Sequence, residues 1–311
     1  MAVNQNLPFY RLRHEFKGVM YPNFVLDSSI KRLRTFPVRS DDVWLLSFPK
    51  AGTHWMMEIV GLILSDGDPD QINRSLYSST PEMINMDQPF PATREEEKIH
   101  PVNMSPFLDV VERAPSPRVM LDHLTLDLLP EDILKSKVIY TARNPKDSIL
   151  SWFEFVKDDP VYSLTVDKTI EEFMNYTMNW GCWPKHVRQF WELRDHENVT
   201  FVFYEDLKKE PAKNIQKIAS GIGHPLSDET LQRVVELSHI ESQRKRFQKL
   251  AESGQENLVS NASGMYTFLN KGIVGRWKNH FTVAQNEAFD EWYRNIMADT
   301  DPGTDLSFTF E

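Results

Sequence analysis

The chain has a single cysteine, Cys182, among its 311 residues. A disulfide within the chain is therefore excluded, and so is a cysteine-rich metal site. A reducing compartment fits, and a lone cysteine without supporting motifs is a poor nucleophile candidate. Long apolar runs are missing too. The longest, near 56–64 (MMEIVGLIL), is interrupted by Glu58 and is far too short to span a bilayer. The N-terminal MAVNQNLPFYRLRHEFKG has no apolar h-region. No secretory signal is read there, so a cytoplasmic location without a membrane partner is expected. Basic charge is also short: 35 Lys and Arg face 45 Asp and Glu, a net charge of −10. Proteins that work by holding nucleic acid usually have a basic surface, so no nucleic-acid partner is expected. A local cluster of Lys and Arg can still hold a small anion against the global sign. No set of His, Cys and carboxylates stands at ligand spacing, so no metal is expected either.

What is present reads as a globular α/β protein. Hydrophobic residues make up 41% and charged residues 26%, and the length suffices for a domain with a sizeable core. Short apolar runs alternate with amphipathic stretches, which predicts a mostly parallel sheet. Residues 43–48 (VWLLSF), 137–142 (KVIYTA) and 199–204 (VTFVFY) read as buried strands, with 118–121 as a shorter fourth. Helices are expected from Thr53, after Pro145, and over 207–222. The proline-rich stretch 75–117 and the polar stretch 243–271 read as loops or lids. No linker stands out, so a single domain over 1–311 is expected.

Three segments carry chemistry. Ser47-Phe48-Pro49-Lys50-Ala51-Gly52-Thr53-His54-Trp55 joins a strand to a helix. Amides at such a helix start attract phosphate, Gly52 lets the backbone approach closely, Lys50 adds charge, and Trp55 can stack on a base. The spacing departs from G-x-x-x-x-G-K-[ST], because Lys50 precedes the glycine. Tyr140-Thr141-Ala142-Arg143-Asn144-Pro145 delivers Arg143 to a strand's C-terminal end, where it can clamp a phosphate, with Ser151 further on. Asn270-Lys271-Gly272-Ile273-Val274-Gly275-Arg276-Trp277-Lys278 is basic and glycine-containing, a second candidate anion cradle. Each alone also fits an ordinary turn, capped helix or solvated loop.

Together these segments resemble the signature regions of the cytosolic sulfotransferases. The resemblance runs from about residue 16 to 310 and is poorest over 75–117. It implies an α/β fold with a central parallel sheet of about five strands flanked by helices and a P-loop-like phosphosulfate loop. It implies a sulfuryl donor, 3′-phosphoadenosine-5′-phosphosulfate (PAPS), with PAP as product, and transfer to a hydroxyl or amine of a small-molecule acceptor. His123, in Pro117-Arg118-Val119-Met120-Leu121-Asp122-His123, falls at the family's catalytic base. Lys50 falls at the bridging lysine, with Ala51, Gly52, Thr53 and His54 around the 5′-phosphosulfate. Arg143, Ser151, Lys271 and Gly272 fall at the 3′-phosphate. Trp55, Tyr204 and Ser238 fall at the adenine, and Phe268, Leu269 and Asn270 complete the cofactor set. Phe24 and Phe155 fall at the acceptor pocket.

The chain departs from the family pattern at several positions. Leu121 and Asp122 replace a lysine and a threonine, and Ala51, His54, Asn270 and Arg276 replace serine, threonine, arginine and aspartate; Arg276 is the cation nearest to compensating for Asn270. A PAPS- or PAP-binding protein with little turnover is the alternative that Leu121 and Asp122 leave open. A phosphotransferase using ATP is the other, against which the missing nucleotide loop argues. The segment from Lys278 to Glu287 fits the family's K-x-x-x-T-V-x-x-x-E dimer motif, so a homodimer is expected.

Overall fold

The apolar runs become four parallel strands. The computed structural model describes residues 13–22, 25, 27–72, 107–157, 164–252, 272–300 and 306–308. Among these, β1 (Arg13–Phe16) and β2 (Val19–Pro22) pair as a small antiparallel hairpin. β3 (Val43–Ser47), β4 (Val119–Asp122), β5 (Lys137–Ala142) and β6 (Val199–Phe203) form one parallel sheet in the order β4-β3-β5-β6. The sequence suggests about five strands, and four are found among the described residues. Every residue of β3 is buried, as strands of a parallel sheet covered on both faces must be.

Helices make the connections. α1 (Asp27–Leu33) precedes β3, α2 (Thr53–Leu64) follows it, and α3 (Phe107–Arg113) leads into β4. α4 (Pro145–Val156), α5 (Val166–Met174) and α6 (Trp183–Trp191) lie between β5 and β6. α7 (Tyr204–Lys209), α8 (Pro211–Gly221), α9 (Asp228–Ser238), α10 (Ile240–Glu252) and α11 (Val283–Thr300) follow β6. Three expectations change. The single helix expected over 207–222 is two helices, broken at Glu210 (φ −128°, ψ 64°). Pro211 is the reason: it disfavours helical backbone in the residue before it and suits a first turn. The loop expected over 243–271 begins as helix α10, and the remainder, 253–271, lies outside the described residues. The loop expected over 75–117 contains α3.

Buried charge fixes both ends of the sheet. At the N-terminal ends, Arg118 and Asp42 are fully buried and paired twice, Nε to Oδ1 at 2.7 Å and Nη2 to Oδ2 at 2.5 Å. At the C-terminal ends, two buried carboxylates close the turns. Asp122 Oδ1 accepts the amides of His123 (2.7 Å) and Leu124 (2.8 Å). Glu205, in the first turn of α7, accepts the Asn144 amide at 3.0 Å. The second oxygen of each carboxyl, Asp122 Oδ2 and Glu205 Oε2, is buried without a partner among the described residues. Burial pushes both carboxyls up to about 7, against the opposing pull of the amides they accept.

A carboxyl whose folded-state pKa is raised binds its proton in the folded chain at pH values where the unfolded chain has lost it. Stability from these two groups therefore falls as pH rises from the ordinary carboxylate range to about 7. Thermal melts on either side of that window should show the wild type losing stability relative to Asp122→Asn and to Glu205→Gln as pH rises. An unchanged difference would mean that both groups are charged in the fold throughout.

Candidate active site

Parallel pairing brings four strand ends to one edge of the sheet. Leu46 is in register with Asp122 and with Tyr140, and Ala142 with Phe203. The chain leaves β3 into the Lys50 loop, β4 into His123, β5 into Arg143 and β6 into Tyr204. Ligands of open α/β sheets bind beyond the carboxyl ends of the strands. A cavity lies there, lined by Lys50, Gly52, Thr53, His54 and Trp55, by His123, by Arg143, Ser151 and Phe155, by Tyr204, and by Gly272.

The β3–α2 turn passes through left-handed backbone twice, with φ 68° at Lys50 and 98° at Gly52. Such a conformation costs a non-glycine residue about 1–3 kcal/mol and gathers at ligand sites. At Gly52 a side chain is excluded twice over, because a Cβ would also stand 2.6 Å from Cδ2 of Tyr204. Gly52 offers no side-chain cap to α2, the arrangement in which first-turn amides take an anion.

The cations are laid on aromatic rings. Lys50 Nζ is 4.1 Å from the centroid of the Phe155 ring. The Arg143 guanidinium carbon is 4.4 Å from the Tyr204 centroid, and Nη1 donates to the Lys50 carbonyl at 2.9 Å. Arg143 Nε is buried without a partner among the described residues. Lys208 joins them: its Nζ is 5.3 Å from the Trp55 centroid and it lines the same cavity. Burial, and then the Arg143 charge, hold the Lys208 ammonium below the usual lysine range. Two cations pressed toward one cavity are relieved by an anion there, so the residues fit a phosphate-bearing ligand. Sequence reasoning missed Lys208. Its signal is the four-residue spacing from Tyr204, which sets both on one face of α7.

His123 is fixed by its ring. Nδ1 lies 2.7 Å from the Ser47 carbonyl oxygen. A carbonyl only accepts, so Nδ1 carries the proton and Nε2 keeps the lone pair. Trp180 packs edge-on to this ring at 5.6 Å, Trp152 packs on Trp180 at 6.0 Å, and Phe155 on Trp152 at 5.9 Å. Both tryptophans line the cavity and were also missed. Leu121, where the family has a lysine, is buried and belongs to the hydrophobic core.

The other expected residues divide. Ala51 is buried and does not line the cavity. Ser238 acts through its backbone: its carbonyl accepts the Trp55 indole N–H at 2.9 Å, while its hydroxyl is turned to the Val235 carbonyl. Phe24, Phe268, Leu269, Asn270 and Lys271 lie outside the described residues. Asp147 docks the C-terminal segment, accepting the amides of Gly275 (2.7 Å) and Trp277 (3.1 Å). Arg276 lines the cavity, but both its terminal nitrogens donate to Glu154. Its charge is thus shared with a carboxylate. Among the described residues no group of three or more His, Cys, Asp or Glu is placed to hold a metal ion, and no helix is long and apolar enough to cross a membrane.

The chain is similar to known proteins over nearly its whole length. A family model described as "Sulfotransferase domain" matches residues 40–301. Sulfotransferase 1C2 of Homo sapiens is 32% identical over 326 residues, covering 100% of both chains. Sulfotransferase 1A1 of Mus musculus is 34% identical, covering 94% of this chain and 95% of that protein. Mouse sulfotransferase SULT7A1, solved as a complex with PAP, superposes with a TM-score of 0.71 at 27% identity, over 94% of this chain and 96% of that one. Retinol dehydratase, at 22% identity and a TM-score of 0.72, shares the fold. On this sequence similarity and this fold, the chain belongs to the sulfotransferase family.

Proposed function

We propose that the protein moves the sulfuryl group of PAPS to a hydroxyl or amine of a small-molecule acceptor, releasing PAP, with His123 as general base. The observation that carries this is the bond from His123 Nδ1 to the Ser47 carbonyl, which leaves Nε2 basic in a cavity shared with Lys50 and Arg143. When bound, PAPS supplies an activated sulfuryl group. Lys50, with the amides of Gly52, Thr53 and His54, is suited to its 5′-phosphosulfate. Arg143, Ser151 and Gly272 are suited to its 3′-phosphate, and the rings of Trp55 and Tyr204 to its base. Phe155, Trp152 and Trp180 give the acceptor aromatic walls. His123 Nε2 takes the acceptor proton, a task for which imidazole's near-neutral pKa is suited. Lys50 sets positive charge where negative charge develops, the most effective place for it. A cytoplasmic location is part of this reading, supported by the single cysteine.

One observation favours a second reading. The residue before Asp122-His123 is a core leucine rather than a cation, so a PAP-binding protein with little turnover is the competing outcome of the same assay. In a turnover screen over phenols and steroids, His123→Ala should lower the rate by about 100-fold or more while PAP affinity holds. A rate within a few-fold of wild type would place the base elsewhere.

The wild type should bind PAP more tightly than adenosine 5′-phosphate, because Arg143 and Lys208 both face the cavity beside Gly272. A Cβ on Gly272 would lie 3.7 Å from Lys208 Nζ. Lys208→Met should reduce that preference about tenfold, the weight of one charge-assisted bond. Calorimetry showing equal affinities for the two nucleotides would overturn the 3′-phosphate assignment.

A homodimer through the segment from Lys278 to Glu287 completes the proposal. Thr282 and Gln285 cap the start of α11 reciprocally, at 2.7 and 3.2 Å. Val283 is 74% exposed there, an apolar side chain without cover in one copy. A two-fold axis would bury it against its own symmetry mate and bring Lys278 to Glu287 twice. Light scattering should show a dimer for wild type and a monomer for Val283→Glu. A wild-type monomer at micromolar concentration would overturn the dimer.

A further inference from the structure

We infer that His186 is a positioning residue for His123, acting on its backbone at the end of a buried hydrogen-bond chain that starts at the Tyr140 hydroxyl. The inference rests on the reading of His123 as the base. Three groups of His123 have partners that together fix its orientation. Its amide donates to Asp122 Oδ1 at 2.7 Å, its Nδ1 donates to the Ser47 carbonyl at 2.7 Å, and its own carbonyl lies 3.0 Å from His186 Nε2. That carbonyl can only accept, so His186 carries its proton on Nε2. Its Nδ1 then offers a lone pair, and the Tyr140 hydroxyl stands 2.8 Å away to donate to it. The order of protons along the chain is thereby determined: Tyr140 O–H to His186, and His186 N–H to the His123 carbonyl.

This order requires a neutral His186, since an imidazolium has no lone pair for Tyr140. Burial meets the requirement by driving the His186 pKa down to about 3. The anchor is rigid. Tyr140 is stacked on Phe190 at 4.3 Å and on Phe201 at 5.2 Å, and His186 meets Phe48 edge-on at 5.7 Å. The chain also joins elements that the sheet does not join. Tyr140 is on β5, His186 on α6, and His123 follows β4, which is separated from β5 by β3. The end of β3 in turn supplies the Ser47 carbonyl that holds the ring. Turning the peptide after His123 would swing the imidazole away from the acceptor, and a misplacement of about 1 Å can cost about 100-fold in rate.

Three variants test this, measured for turnover, PAP affinity and the ring tautomer of His123 by nitrogen NMR. His186→Leu removes both bonds and should lower kcat about tenfold or more while PAP affinity changes less than about twofold. His186→Gln can donate to the carbonyl and accept from Tyr140, so it should restore most of the rate. Tyr140→Phe keeps the stacked ring and should fall between the two. In His186→Leu the Nδ1–H tautomer of His123 should give way to a mixture. That reading needs no turnover, so it still tests the positioning if the wild type transfers nothing and the reading of the base fails. If His186→Leu does not fold, His186→Gln and Tyr140→Phe carry the comparison. A kcat within about twofold of wild type together with an unchanged tautomer would overturn the inference, and so would a parallel loss of kcat and PAP affinity.

Discussion

β3 pairs in parallel with β4 on one side and with β5 on the other, and the site depends on that double pairing. Parallel strands end together. Their last residues must release the chain at one edge, in turns whose amides and carbonyls cannot all be satisfied by the sheet. Here those groups are taken up by site residues and their supports. The Ser47 carbonyl receives His123, Asp122 gathers two amides, and Glu205 ties the β5 exit to the β6 exit. The polar leftovers of the fold thus do the placing of the site. A one-residue slip of β4 would carry His123 out of reach of Ser47 and put Asp122 on the wrong face.

Positive charge is concentrated at the cavity. The chain is acidic overall, with a net charge of −10, yet its cavity gathers Lys50, Arg143 and Lys208. Each lies over a ring: Phe155, Tyr204 and Trp55. A ring orients a cation through its quadrupole without cancelling the charge. Arg276 shows the contrast, since Glu154 already takes its guanidinium. A ring leaves a cation's full charge in the cavity, whereas a carboxylate partner offsets it.

How much of this was legible in the sequence depends on the kind of signal. The strands were readable because buried parallel strands are unbroken apolar runs: 137–142 matches β5 residue for residue, and 43–48 and 199–204 exceed β3 and β6 by one. Lys50, Gly52 and Arg143 were legible as candidates because each stands just after a buried strand, though each turn alone also fits an ordinary corner and only the three segments together pointed to an anion site. His123 was different. A lone histidine carries no periodicity, and only family resemblance singled it out. Trp152 directly follows Ser151 and Lys208 stands one turn after Tyr204, so both had a local signal, whereas Trp180 and His186 are remote from the motifs and their relevance exists only after folding brings those segments to the strand ends. The role of Ser238 was hidden for another reason: it works through a carbonyl, which every residue has. Helix α10 runs into the stretch read as loop because that reading rested on the polarity of 243–271 and on Gly254, Asn261 and Gly264, all three of which lie beyond the helix end at Glu252.

The Asp147 carboxylate has a consequence for how the protein is made. It binds Gly275, 128 positions later, and Trp277, 130 positions later. Ribosomes add about 5–20 residues per second, so a carboxylate already in place at the start of α4 waits on the order of ten seconds for the amides it will hold. During that interval β3, β4, β5, Arg143 and the Lys50 loop have been made, β6 follows, and the wall that Gly272 and Arg276 bring comes last. A growing chain should therefore complete this cavity late, once the segment from Gly272 to Trp277 clears the exit tunnel.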